Sequence, residues 1–228
     1  MGGIKILLSV VLLCGAFPCL TACVVSSLGP LNEAARYGDI ETVRLLVEKG
    51  EDVNRVTNGF SPLLLAACSG HAGIVEYLLA KGADPNTSQD NENTALGCAS
   101  FYGQRKIAKA LIDAGARVNN PAGEWRVTAL MWASQRGHVK LVKLLLDFRA
   151  DPNQVDAGGS GPLHRAAFLG NSDIVRMLVE AGANPSVRIS APPNKNKSVH
   201  VGDTPLTIAN RKGFTTIAEY LQRKGAVE

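Results

Sequence analysis

The chain has 228 residues, 46% of them hydrophobic, enough for one globular domain or one repeat array, and this content excludes disorder. Its formal net charge of +4 is too small to argue for a nucleic-acid partner. The charge is uneven: residues 28–60 hold six acids against four bases and residues 186–228 seven bases against three acids, so the two ends should differ in potential.

The first element in chain order is an apolar run. After one positive charge, Lys5, residues 6–20 are almost entirely apolar or small. This run is shorter than the ~20 residues a spanning helix needs, and Pro18 breaks its last turn. A positive start, an apolar core and small residues at its end describe a secretory signal. Leu20-Thr21-Ala22-Cys23 resembles the bacterial lipobox. That resemblance implies a signal peptide over 1–22, removal of Cys14 and Cys19 with it, and a lipid on Cys23. Residues 23–29 would be the acylated Cys and a short tether, which reaches about 20 Å when extended. Val24 after the Cys implies the outer membrane by the same resemblance. The expected location is the bacterial cell envelope, lipid-anchored and facing the periplasm.

From Pro30 onward one phrase returns six times: PLNEAARYG, PLLLAACSG, ALGCASFYG, ALMWASQRG, PLHRAAFLG and PLTIANRKG. Its anchoring leucines, Leu31, Leu63, Leu96, Leu130, Leu163 and Leu206, are 32, 33, 34, 33 and 43 residues apart. A glycine follows each seven residues later, and another nineteen residues later, except that Arg149 stands at the second place in the fourth unit. Repetition at this period marks a solenoid. Ser61, Thr94, Thr128 and Thr204 stand where a helix N-cap is wanted, and Pro62 and Pro205 suit a first helical turn. Paired alanines allow close helix packing. The later glycines suit left-handed C-terminal caps, with Arg149 costing about 1 kcal/mol if its φ is positive. Trp132 and Cys98 share one register position and are expected in the core.

The phrases Gly161-Pro162-Leu163-His164-Arg165-Ala166-Ala167 and Lys81-Gly82-Ala83-Asp84-Pro85-Asn86 closely resemble the ankyrin repeat. The resemblance implies an all-α solenoid of about six helix-turn-helix repeats joined by hairpin loops. The repeat domain is expected over 30–228, with repeats at about 28–58, 59–91, 92–125, 126–158, 159–190 and 202–228. The long fifth spacing predicts a protruding loop over 189–201, ISAPPNKNKSVHV.

Cys68 and Cys98 lie five and two residues after their leucines. With helix axes ~8–10 Å apart and a disulfide needing Cα atoms within ~7 Å, free thiols are expected. His71, His138 and His164 sit at repeat positions where the family resemblance implies hydrogen bonds between turns, and His200 lacks the acidic neighbourhood of a metal site. Gly158-Gly159-Ser160-Gly161 lacks the last glycine of a nucleophile elbow, and no glycine loop is placed to cradle phosphate. No catalytic residue, metal, cofactor or small-molecule substrate is expected, and a non-enzymatic role is.

The family resemblance also implies contacts through hairpin tips and the exposed side of the first helix. These positions carry Arg36, Tyr37, Phe60, Phe101, Tyr102, Trp125, Gln135, Arg136, Phe168, Leu169, Arg211 and Lys212. Six of the eleven aromatics after residue 22 fall on 27 such positions, where an even spread would place between one and two. Aromatics gathered in one groove suit a protein interface, with Trp125 and Phe101 as its expected hot spots. Arg136, Arg211 and Lys212 extend it with charge suited to an acidic rim. The reading is a membrane-anchored lipoprotein that binds a protein partner through a concave aromatic and basic surface. Alternative readings are a periplasmic immunity or inhibitor protein acting on an exported toxin or hydrolase, and a secreted host-directed effector.

Overall fold

The computed structural model describes residues 28–87, 94–191 and 199–227. Cys23 and the signal segment, the 88–93 tip and residues 192–198 of the insertion lie outside them. Among the described residues there are twelve α-helices in six antiparallel pairs. They are α1 (Pro30–Tyr37), α2 (Ile40–Glu48), α3 (Pro62–Ser69), α4 (Ala72–Ala80), α5 (Ala95–Phe101), α6 (Arg105–Asp113), α7 (Ala129–Arg136), α8 (Val139–Asp147), α9 (Pro162–Leu169), α10 (Ser172–Glu180), α11 (Pro205–Lys212) and α12 (Thr215–Arg223). The described β pairing is limited to two isolated bridges, Thr57 with Phe60 and Ala122 with Val127.

The N-caps act as their residue types dictate. Ser61 Oγ accepts from Leu64 N (3.2 Å), Thr94 Oγ1 from Gly97 N (2.9 Å), Thr128 Oγ1 from Met131 N (3.3 Å) and Thr204 Oγ1 from Thr207 N (3.2 Å). Each satisfies one backbone donor that the helix itself leaves unpaired. In α9 the cap is Gly161, and His164 Nδ1 accepts its N–H at 3.1 Å.

First helices stack on first helices and second on second, and the first helices lie closer together. The cause is side-chain size. Ala34-Ala35, Ala66-Ala67, Ala99-Ser100, Ala133-Ser134 and Ala166-Ala167 occupy the contact, and all ten are buried. Close packing on one side and wider packing on the other curves the solenoid and makes the first-helix side concave. One continuous core runs its length, from Leu31 and Val43 through Leu111 and Leu145 to Leu221.

Two ladders tie the repeats together. In the first, the residue eight after each leucine packs on the mid-repeat glycine of the repeat before. His71 Nε2 donates to the Arg36 carbonyl (3.0 Å) and His138 Nε2 to that of Phe101 (3.1 Å). In the last repeat Phe214 takes this place, so close that a Cβ on Gly170 would lie 2.5 Å from its ring. The second ladder runs along the hairpins. Asn54, Asn86 and Asn119 each donate from Nδ2 to the carbonyl of Gly82, Gly115 or Arg149, and each accepts from the N–H of Asp84, Arg117 or Asp151 (2.7–3.1 Å). Asn153 repeats the motif against Gly182 and Asn184. Arg149 has φ +60°, the left-handed conformation that its glycine-replacing position demands.

Two expectations are corrected here. Cys68 and Cys98 are joined in a disulfide, with Cα atoms 4.9 Å apart, and are not free thiols. Facing Cα atoms come much closer than the helix axes do. Cα atoms lie about 2.3 Å from each axis, so facing residues of helices ~8–10 Å apart approach to roughly 4–5 Å. Residues two and five after the leucine are one turn apart and share a helix face, so their difference in register does not separate them. The second correction concerns Phe101, expected to be exposed. It is 6% exposed and belongs to a cluster with Leu64, Leu65, Cys68 and Cys98.

Candidate protein interface

The ends of the first helices and the hairpin tips carry the residues singled out from the sequence. Tyr37 is 68% exposed, Trp125 45% and Leu169 43%. Arg36, Phe60, Tyr102 and Phe168 are half-buried, and Gln135, Arg136, Arg211 and Lys212 are exposed. Trp125 stands on the 122–127 hairpin, held to the next tip by the bond from Ala157 N to its carbonyl (2.9 Å).

The structure gathers several of these into cation–aromatic stacks. The Arg136 guanidinium lies 3.7 Å from the Phe101 ring centroid, and Phe101 meets Tyr102 and Trp132 edge-on at 5.0 Å each. Phe101 therefore supports this surface from beneath, covered by the arginine of the next repeat. Lys212 Nζ sits 4.0 Å above Phe168, and Arg36 lies 5.6 Å from Tyr37. Such stacks hold long cationic side chains in place while leaving charge at the surface.

Two carboxylates orient arginines along the same side. Asp203 receives both terminal nitrogens of Arg211 (2.7 and 2.5 Å), and those bonds hold its carboxyl below the usual carboxylate range. Asp156 binds Arg165 at 2.7 Å and also accepts the N–H groups of Gly158 and Ser160 (2.8 and 2.9 Å). Burial lowers the Arg165 pKa, and Asp156 opposes that shift. Arg165 donates onward to Gln135 and lies 5.7 Å from the Trp132 ring. The sequence reading missed this pair. Its signal was a charge two residues after the leucine, where Leu65, Cys98, Trp132 and Ile208 stand in four other repeats and Glu33 in the first.

Three of the four histidines, His71, His138 and His164, are committed to structure. His164 accepts at Nδ1, so Nε2 carries the proton and donates to the Val187 carbonyl (3.0 Å), with that of Asp203 at 3.3 Å. Burial pushes its pKa down to about 4 against those bonds. A shallow cavity of about 160 Å³ at the N-terminal end is lined by Leu31, Asn32, Asp52 and Arg55. It is small beside the ~300–1,000 Å³ of ordinary ligand sites.

The stacked helix pairs and their hairpin ladder define a repeat protein, and the sequence comparisons agree on its kind. The profile "Ankyrin repeats (3 copies)" matches residues 7–89, 31–122 and 117–189. The chain belongs to the ankyrin-repeat family. Putative ankyrin repeat protein YahD of Escherichia coli is 30% identical over 201 residues, covering 72% of this chain and 95% of that protein. Ankyrin repeat and KH domain-containing protein mask-1 of Caenorhabditis elegans is 36% identical over 161 residues, which is 70% of this chain. Ankyrin repeat and SAM domain-containing protein 6 of Danio rerio is 33% identical over 159 residues, or 68% of this chain. The chain spans only 6% and 21% of the length of these last two. Ankyrin repeats imply a protein–protein interaction module.

Proposed function

We propose that this chain is an exported, lipid-anchored, non-enzymatic protein that captures a protein partner on its concave face. The observation that carries the reading is the set of exposed apolar groups there, Tyr37, Trp125 and Leu169, among the stacked cations Arg36, Arg136 and Lys212. Large apolar side chains beside positioned charge are what interface hot spots use. Acidic groups at the partner's rim would meet the cations. Two observations support export. Cys23 closes the lipobox-like sequence, and the Cys68–Cys98 disulfide suits an oxidising compartment.

The test compares the wild type with Trp125→Ala/Leu169→Ala in cross-linking and co-purification from detergent-solubilised envelope, followed by mass spectrometry. Proteins captured by the wild type should be lost from the variant, each truncation weakening binding by on the order of 2 kcal/mol. Identical captured sets would sink the concave-face reading. Separately, Cys23→Ala should abolish labelling by a fatty-acid analogue, and persistent labelling would sink the anchor.

A further inference from the structure

The face opposite the concave surface carries a charge pattern that the protein-binding reading does not use. Positions ten and thirteen after the leucine lie on the outer side of each second helix. In the third repeat they are Lys106 and Lys109, and in the fourth Lys140 and Lys143, all exposed. Repeat two has Gly73 and Glu76 there, and repeat five Asp173 and Arg176. Over 105–113 and 139–148 five bases meet two acids, Asp113 and Asp147, whereas 172–181 holds Asp173, Arg176 and Glu180. Lysine at both positions thus occurs only on two neighbouring helices, α6 and α8, which pack directly on each other.

The lysines form a rough rectangle. Residues three apart on a helix have Cβ atoms about 5–6 Å apart, and packed helices lie ~8–10 Å apart. Asp113 partly offsets Lys109, bonding it at 2.5 Å in a half-exposed pair. At one end of the rectangle, beside Lys109, lies an aromatic ring. Phe148, at the end of α8, is 38% exposed, and Lys109 Nζ sits 5.4 Å from its centroid.

We propose that this convex face binds an anionic bilayer surface, with the four lysines on phospholipid phosphates and Phe148 at the headgroup boundary. Three considerations select a lipid surface. Lysine is a flexible point charge without the fork that fixes a carboxylate, so it suits diffuse phosphate, and it is depleted in protein interfaces. The patch is a shallow outer face, complementary to a broad charged plane. The disulfide suits an oxidising compartment, away from the cytosolic pool of nucleic acid. Bound this way, the solenoid lies on its back and its concave face opens away from the lipid. This goes beyond the proposed partner capture and needs no acyl chain.

The experiment uses the full chain carrying Cys23→Ala, so that no lipid on that residue contributes. Sedimentation is measured with vesicles of phosphatidylcholine alone and of phosphatidylcholine mixed with phosphatidylglycerol, at low and high salt. Phosphatidylglycerol should raise binding at low salt, and high salt should reverse the gain. Each lysine near an anionic surface contributes about 1 kcal/mol, about fivefold, so Lys106→Gln/Lys140→Gln should lower binding by roughly 25-fold and the four-lysine variant by more. Arg55→Gln/Arg126→Gln, which removes two exposed charges from the hairpins, away from the second helices, should bind as wild type. Circular dichroism checks that all variants stay folded, as exposed substitutions should. Equal binding to neutral and anionic vesicles would overturn the proposal, as would equal loss in the control variant. So would full competition by soluble polyglutamate or duplex DNA at equal charge, which would point to an acidic macromolecule instead.

Discussion

Reducing the Cys68–Cys98 bond perturbs stability without removing an atom from the core. The bond joins residues 30 apart in sequence and crosses from α3 to α5. Closing a loop of that length restricts the unfolded chain by about 3.6 kcal/mol at 25 °C. Because both sulfurs remain in place after reduction, no cavity term is added. With a urea m value of about 2.3 kcal/mol/M, the midpoint should fall by roughly 1.5 M, and the melting temperature by about 7–14 °C. The assay is paired urea titration of the oxidised and reduced chain, with alkylation and mass measurement to count thiols in each. Cys98 is fully buried and Cys68 is 6% exposed, so the native bond should also resist reductant until the repeats open. Coincident midpoints would refute the account. So would alkylation of both cysteines in the unreduced chain, because the helices would then be apart.

Phe101→Ala should destabilise the chain by about 3–4 kcal/mol in urea unfolding, since it empties a buried site beneath Arg136; wild-type stability would mean that the ring is outside the core. Arg149→Gly should stabilise by about 0.5–1 kcal/mol, because glycine relieves the left-handed strain and loses more chain entropy in return. An unchanged or lowered midpoint would show that the Arg149 side chain contributes something the backbone does not. His164 is held neutral with its pKa near 4, below the ordinary value of 6.5. The unfolded chain therefore binds the proton first as pH falls, so stability present above pH 6.5 is lost toward pH 4, with about 2 kcal/mol lost between pH 7 and 5. Unfolding midpoints of the wild type and His164→Gln across that window should differ in slope; parallel curves would show that His164 titrates normally.

The six-unit period, the caps at Ser61, Thr94, Thr128 and Thr204, and the left-handed residue at 149 could all be read from the chain alone. Each depends on interactions within one turn or one hairpin, and these reach only a few residues. The candidate surface was legible only as a set of register positions. Phe101 and Trp125 occupy equally plausible outward positions, yet one is buried beneath Arg136 and the other stands on a hairpin tip. The disulfide, the Asp156–Arg165 pair and the asparagine ladder were not legible as contacts, although the residues themselves were in view. Each joins different elements, so it depends on how closely the first helices approach and how each repeat is turned against the next. That spacing follows from small side chains packed across the whole stack. A pattern of residue types does not contain it until the helices are assembled.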